Sequence, residues 1–130
     1  MRIYADSSAI IKLLKEEKES SAVRLMFSNE ICTSILSVLE VNRFVETFKP
    51  KGPFDEYERF TRDTYFVDLN IPVMIHLTNL KLPTFIKTLD AIHLGTAFLL
   101  KLSIDAILTY DKKMQRGAET IGLKVLAPAD

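Results

Sequence analysis

Four carboxylates fall where a strand hands over to a helix or where a helix begins. They are Asp6 in "RIYADSSAI", Glu40 in "SILSVLEVNR", Asp90 in "TLDAIHL" and Asp111 in "LTYDKKM". Each has an ordinary explanation alone. Asp6, Asp90 and Asp111 can cap helices by accepting a bond from an orphan backbone N–H. Glu40 has Leu36 and Phe44 four residues before and after it, so it lies on an apolar row of its helix. A charged group there needs a partner, and Arg43 at i+3 or a cation would serve. Taken together, the four acids share one chemistry. Mg²⁺ and Mn²⁺ are hard cations that prefer carboxylate oxygens and water. Crowded carboxylates without a cation repel each other and hold protons more tightly. A cation removes the repulsion, draws in a polyanion, and activates water against a phosphodiester.

The elements that must position these acids follow from the apolar pattern. "RIYA" is expected as a buried strand and "SSAIIKLLKEEKES" as a helix, with a second short helix over 20–27. "EICTS" is a strand. "SILSVLEVNRFVETFK" is a helix with Leu36, Val38, Leu39, Val41, Phe44, Val45 and Phe48 at helical spacing, ended by "KPKGP". "FDEYERFTRDTY" is a helix, and "FVDLN" a strand or turn. Pro72 opens a helix over "PVMIHLTNL". "TLDAIHLGTAFLLKL" is a helix whose Ala91, Gly95 and Ala97 permit close packing. "AILTY", "DKKMQRGAET" and "LKVLAP" complete the chain as strand, helix and strand.

Strands alternating with helices predict an α/β fold with a mainly parallel sheet covered on both faces. In such a sheet the carboxyl ends of the strands line one edge, where ligands bind. Asp6 and Asp111 should share that edge. Asp105 precedes the strand that Asp111 follows, and six extended residues place it roughly 20 Å away. Asp63 and Asp68 are left outside the site.

Composition sets the outer limits. The 130 residues are expected to form a single domain over 1–130, large enough for a core, with 48% hydrophobic residues. The apolar runs are too short for a bilayer, and Asp6 follows Met1 too closely for a signal peptide. Seventeen basic residues balance seventeen acidic ones, which argues against a nonspecific electrostatic nucleic-acid binder. Cys32 has no partner for a disulfide, fits a reducing cytoplasm, and is expected in the core.

The segments "YADSSAIIKLL", "TSILSVLEVNR", "TLDAIHLGTA" and "AILTYDKKM...GLKVLAP" occur in the order of the signature segments of the PIN domain, which the chain resembles along essentially its whole length. Within that family it is most similar to the VapC-type toxins of toxin–antitoxin pairs. The resemblance implies a three-layer α/β/α sandwich with a mainly parallel central sheet. It implies a Mg²⁺- or Mn²⁺-dependent endoribonuclease whose acids are Asp6, Glu40, Asp90 and Asp111. Ser7 or Ser8 matches the hydroxyl after the first acid. Thr109 matches the hydroxyl two residues before the last acid, and Arg43 the arginine three residues after the glutamate. It further implies a homodimer and a small antitoxin that enters the active-site groove. Residues 50–70 match nothing specific.

Other residues have lesser claims. His93, one helical turn after Asp90, either orients a ligand or is a satisfied core histidine. Lys112, Lys113 and Arg116 either meet RNA phosphates or form a solvated helix face, and Lys12 and Lys15 make a weaker version of that case. Phe44, Phe48 and Met114 fit core packing. Two alternatives stand beside the nuclease: a catalytically silent PIN-like interaction module, and phosphoryl transfer through an aspartyl phosphate on Asp6.

Overall fold

The computed structural model describes residues 1–129. Five strands form one parallel sheet: β1 (Arg2–Ala5), β2 (Glu30–Ser34), β3 (Tyr65–Val67), β4 (Ala106–Leu108) and β5 (Val125–Leu126). Their order is β3-β2-β1-β4-β5. The chain therefore winds outward from β1 through β2 to β3, crosses back, and continues from β4 to β5 on the other side. Order reverses between β1 and β4, which pair in parallel with Ala5 opposite Leu108. In a doubly wound sheet the crevice at such a reversal, outside the carboxyl ends of the strands, is where ligands bind.

Both faces are covered, as parallel sheets require. Alternate residues of each strand serve opposite faces. Ile3, Ala5, Ile31 and Leu108 join one core with residues of α1 (Ser7–Ile11), α2 (Ser20–Met26), α3 (Leu36–Phe48) and α4 (Asp55–Asp63). Tyr4, Cys32, Ile107 and Val125 face the other core, packed by α6 (Thr88–Leu99) and α7 (Lys112–Thr120). α5 (Ile71–Asn79) packs on α6 and buries none of its own residues fully. The contact is close: a Cβ on Gly95 would lie 2.6 Å from Leu77 Cδ2, so glycine is needed at that point in α6. Three layers result, and the expected sandwich is present.

Several local expectations change. The first helix runs only from Ser7 to Ile11, not to residue 20. The reason is Lys12, which reads as surface but is buried; its Nζ pairs with Glu17 and Glu19 and lies 4.8 Å from the Tyr110 ring centroid. The chain turns there to bring both glutamates back to it. "FVDLN" contributes a genuine edge strand, β3, paired with β2. In α3 the buried side runs through Ser37, Val41, Phe44 and Val45, so Val38 and Leu39 project outward and are exposed. Phe48, expected in the core, is 61% exposed. It sits in the last turn of α3, stacked on Phe44 and under Lys15 rather than on the sheet. Met114 is fully buried as expected. Cys32 is half-buried, and burial pushes its thiol up to about 11.

Candidate active site

Asp6 leaves the end of β1, and its N–H bonds Leu108 O of β4 at 3.2 Å. It is 3% exposed and caps α1. Its Oδ1 accepts the Ser8 hydroxyl at 2.5 Å and the Ala9 N–H at 3.2 Å. Its Oδ2 accepts the hydroxyl of Thr109, the residue that follows β4. Capping and site membership are thus not rival roles for Asp6: the cap fixes the carboxylate at the reversal crevice. Burial holds this carboxyl above its ordinary range, against the lowering effect of the Ser8, Thr109 and Ala9 donors and of His93.

Asp111 repeats the arrangement one strand over. Its Oδ1 caps α7 by accepting Met114 N–H at 2.8 Å, and its own N–H donates to Thr109 Oγ1 at 3.2 Å. Thr109 therefore ties the two strand-end acids together. Gln115 Nε2 donates to the Thr109 carbonyl at 2.9 Å, and Ser8 Oγ also accepts Tyr110 N–H at 3.0 Å. Of the two candidate hydroxyls, Ser8 is the one wired to Asp6.

Glu40 and Asp90 come from helices. Glu40 lies in the second turn of α3, and its partner is His93 of α6: Nε2 meets Oε1 at 2.5 Å. Arg43 does not serve it; that side chain is 70% exposed and nearest Glu46, at 3.8 Å. His93 is 1% exposed, and its Nδ1 meets the Tyr4 hydroxyl at 2.7 Å. Asp90 is the third residue of α6, not its cap; Lys87 holds that position. The Asp90 carboxylate accepts no hydrogen bond from the described residues. Burial raises its carboxyl, and next the charges of Asp111 and Glu40 raise it further, while His93 and Lys113 oppose them. Asp90 therefore senses acids from both α3 and the β4–α7 junction.

No three His, Cys, Asp or Glu side chains among the described residues sit close enough to form a ready-made metal cage. The donor set is nevertheless a fit for a hard cation. It is all oxygen, it contains Asp90 without a hydrogen-bond donor, and its members repel each other. Mg²⁺ commonly keeps several waters and takes only one or two carboxylates directly, so an open ring of acids suits it.

The remaining residues sort by position. Asp105 is at the far end of β4, where it accepts Arg2 N–H at 2.8 Å. Asp63 pairs with Arg62 on the surface. Asp68 directly follows the edge strand β3. On α7, Lys113 is near enough to Asp90 to favour its charged form, whereas Lys112 is exposed and Arg116 lies 5.0 Å from the Phe85 ring centroid. Lys12 and Lys15 are engaged with Tyr110 and Phe48. Tyr4 was not anticipated. Its signal is a phenol in an otherwise aliphatic strand, since a buried tyrosine hydroxyl needs a partner.

Comparison with known proteins identifies the family and the fold. The family model described as PIN domain matches residues 3–119. Ribonuclease VapC46 of Mycobacterium tuberculosis is 36% identical, covering 98% of each chain, and Ribonuclease VapC47 from the same species is 30% identical over 97% of this chain and 96% of its own. Among solved structures, a toxin–antitoxin complex from Klebsiella pneumoniae superposes with a TM-score of 0.70 at 18% identity, covering 98% of both chains. VapC20 of M. tuberculosis, described as a toxin cleaving the sarcin–ricin loop, gives 0.64 at 13% identity over 97% of this chain and 99% of that one. The family-model match and these relatives show that the chain belongs to the PIN domain family, with the VapC ribonucleases as its relatives.

Proposed function

We propose that the protein is a Mg²⁺- or Mn²⁺-dependent endoribonuclease, acting as the toxin of a toxin–antitoxin pair. The observation that carries this reading is the convergence of Asp6 and Asp111 at the β1–β4 crevice through Thr109, with Glu40 bonded to His93 of the helix that carries Asp90. Asp6, Glu40, Asp90 and Asp111 would hold the metal. The ion would supply a more acidic water for attack on the phosphodiester and positive charge for the leaving oxygen. Asp6 is held for its task by Ser8, Ala9 N–H and Thr109. Three donors on its two oxygens make it a poor nucleophile, which argues against an aspartyl phosphate. Asp90 has no competing donor and is the most available of the four. Lys113, already within the field of Asp90, offers positive charge to an RNA phosphate, with Lys112 and Arg116 farther along α7. Among the described residues Arg43 is nearest Glu46, so Ser8 and Thr109 carry the supporting role in this reading.

A small antitoxin blocking the same edge is supported by the toxin–antitoxin complex that shares this fold. A homodimer is supported by α5, whose Ile71, Met74 and Ile75 are exposed apolar residues. No helix among the described residues is long and apolar enough to cross a membrane. An RNA substrate and the free thiol of Cys32 fit action in the cytoplasm. The test is cleavage of a mixed RNA substrate with Mg²⁺, with chelator, and with Asp6→Ala. Cleavage by wild type with Mg²⁺ alone is expected. Equal cleavage in chelator, or by Asp6→Ala, would refute the assignment.

A further inference from the structure

Glu40 reaches the site from the middle of a helix on a side chain with three rotatable bonds. Its single hydrogen-bond partner among the described residues is His93, through Oε1. His93 in turn is buried between Glu40 and Tyr4, and the Tyr4 hydroxyl accepts the backbone N–H of Ser34 at 3.0 Å. A carboxylate only accepts, so Nε2 must carry the hydrogen that faces Glu40. The Ser34 N–H occupies the Tyr4 oxygen as acceptor, so the Tyr4 O–H is free to donate to Nδ1. A ring with its hydrogen on Nε2 and the Tyr4 O–H donating to Nδ1 satisfies these contacts. The chain of bonds runs from β2 through β1 and α6 to α3, and it starts from backbone that cannot shift without disturbing the sheet.

We propose that His93 is a positioning residue for Glu40: its Nε2–H fixes Oε1, Tyr4 sets its tautomer, and Oε2 is left free for a divalent cation. The inference rests on the metal-dependent reading given above. Carboxylates that bind metals are commonly held by such outer partners, whose loss costs about 10–100-fold in metal affinity. A purely structural histidine would affect folding stability and leave metal affinity alone.

The test is Mn²⁺ binding to the full chain without RNA, followed by electron paramagnetic resonance of the free ion, beside thermal melts of each variant. Glu40→Ala and His93→Leu should each weaken Mn²⁺ binding, by ~10–100-fold. The double variant should be no weaker than Glu40→Ala alone, since both changes remove one device. His93→Gln should remain within about threefold of wild type, because its amide N–H replaces Nε2–H. Nitrogen-15 spectra of the metal-free protein should show His93 protonated on Nε2. Should the His93 variants fail to fold, Tyr4→Phe decides: it keeps the ring, removes the donor to Nδ1, and should weaken binding about threefold or more. No Mn²⁺ uptake by wild type would overturn the metal reading and this inference with it. Mn²⁺ bound normally by folded His93→Leu, or by Tyr4→Phe where that variant decides, while Glu40→Ala binds weakly, would overturn the inference alone. So would a ring without a proton on Nε2, or a folded His93→Gln no better than His93→Leu.

Discussion

The four acids are held in two different ways. Asp6 and Asp111 stand at strand ends, and each caps the helix that follows, so the backbone that builds the sheet also aims the carboxylate. Thr109 joins them. Glu40 and Asp90 ride on helices that cross opposite faces of the sheet, and side chains alone set them: one contact to His93 for Glu40, and no hydrogen bond for Asp90. The first pair contributes to folding as well as to the site. The carboxyl of Asp90 in the second pair is raised by burial and by the charges of Asp111 and Glu40, a repulsion that a cation would relieve. The proposed site would thus combine residues that cap helices with residues that the fold does not otherwise use.

The largest expected effect tests both halves together. Asp6→Ala and Asp90→Asn should each lower RNA cleavage by at least ~10³-fold, on the order of 4 kcal/mol of barrier. Their melting temperatures should diverge. Asp6→Ala loses a helix cap, typically about 1 kcal/mol, and strands the Ser8, Ala9 and Thr109 donors. It should melt lower than wild type. If both variants melt alike, the division between the two pairs is wrong.

Next in size is the link between the strand-end acids. Thr109→Val keeps the shape of the side chain and removes the hydroxyl shared by Asp6 and Asp111 N–H. Cleavage should fall ~10–100-fold. Urea unfolding should show a loss of about 1–3 kcal/mol, because a buried donor and acceptor lose their partner.

The third prediction concerns pH and the helix-borne pair. Asp90 holds its proton above the ordinary carboxylate range through burial, then Asp111, then Glu40. The metal-free folded state binds that proton more tightly than the unfolded chain does. Its contribution to stability therefore falls as pH rises from the ordinary carboxylate range through the raised one. Asp90→Asn removes that slope. At neutral pH without metal it should melt slightly above wild type, a modest gain because the group is partly exposed. Added Mg²⁺ should raise the wild-type melting temperature and leave the variant little changed. A variant that melts lower in chelator would contradict the electrostatic account.

The smallest effect lies outside both pairs. Lys113→Ala should raise KM for RNA a few-fold at low salt and reduce the salt slope of binding by about one, with kcat retained. A loss in kcat equal to that of the acids would move Lys113 into the machinery.

The strand-end acids were the easiest part of the site to read from sequence, because an ionisable residue closing an apolar run is conspicuous and a parallel sheet sends such residues to one edge. The helix-borne pair was legible only as an anomaly: Glu40 on an apolar row demanded a partner, and sequence spacing nominated Arg43 where the fold supplies His93 from 53 residues away. Tyr4 escaped notice because strand periodicity treats tyrosine as bulk, while its hydroxyl is what matters here. Helical spacing likewise assigned Phe48 to the core and carried α1 past Lys12. In both places a cationic side chain, Lys15 or Lys12, makes contacts that no hydropathy pattern encodes.

The position of β1 has a bearing on synthesis. It precedes the other four strands in chain order, yet it lies at the centre of the sheet and stays unpaired on one side until β4 emerges about a hundred residues later. The Thr109 hydroxyl that anchors Asp6, and Asp111 itself, arrive with that late segment. Asp6 is therefore made about a hundred residues before the hydroxyl that anchors it, and its carboxylate waits for that partner during synthesis.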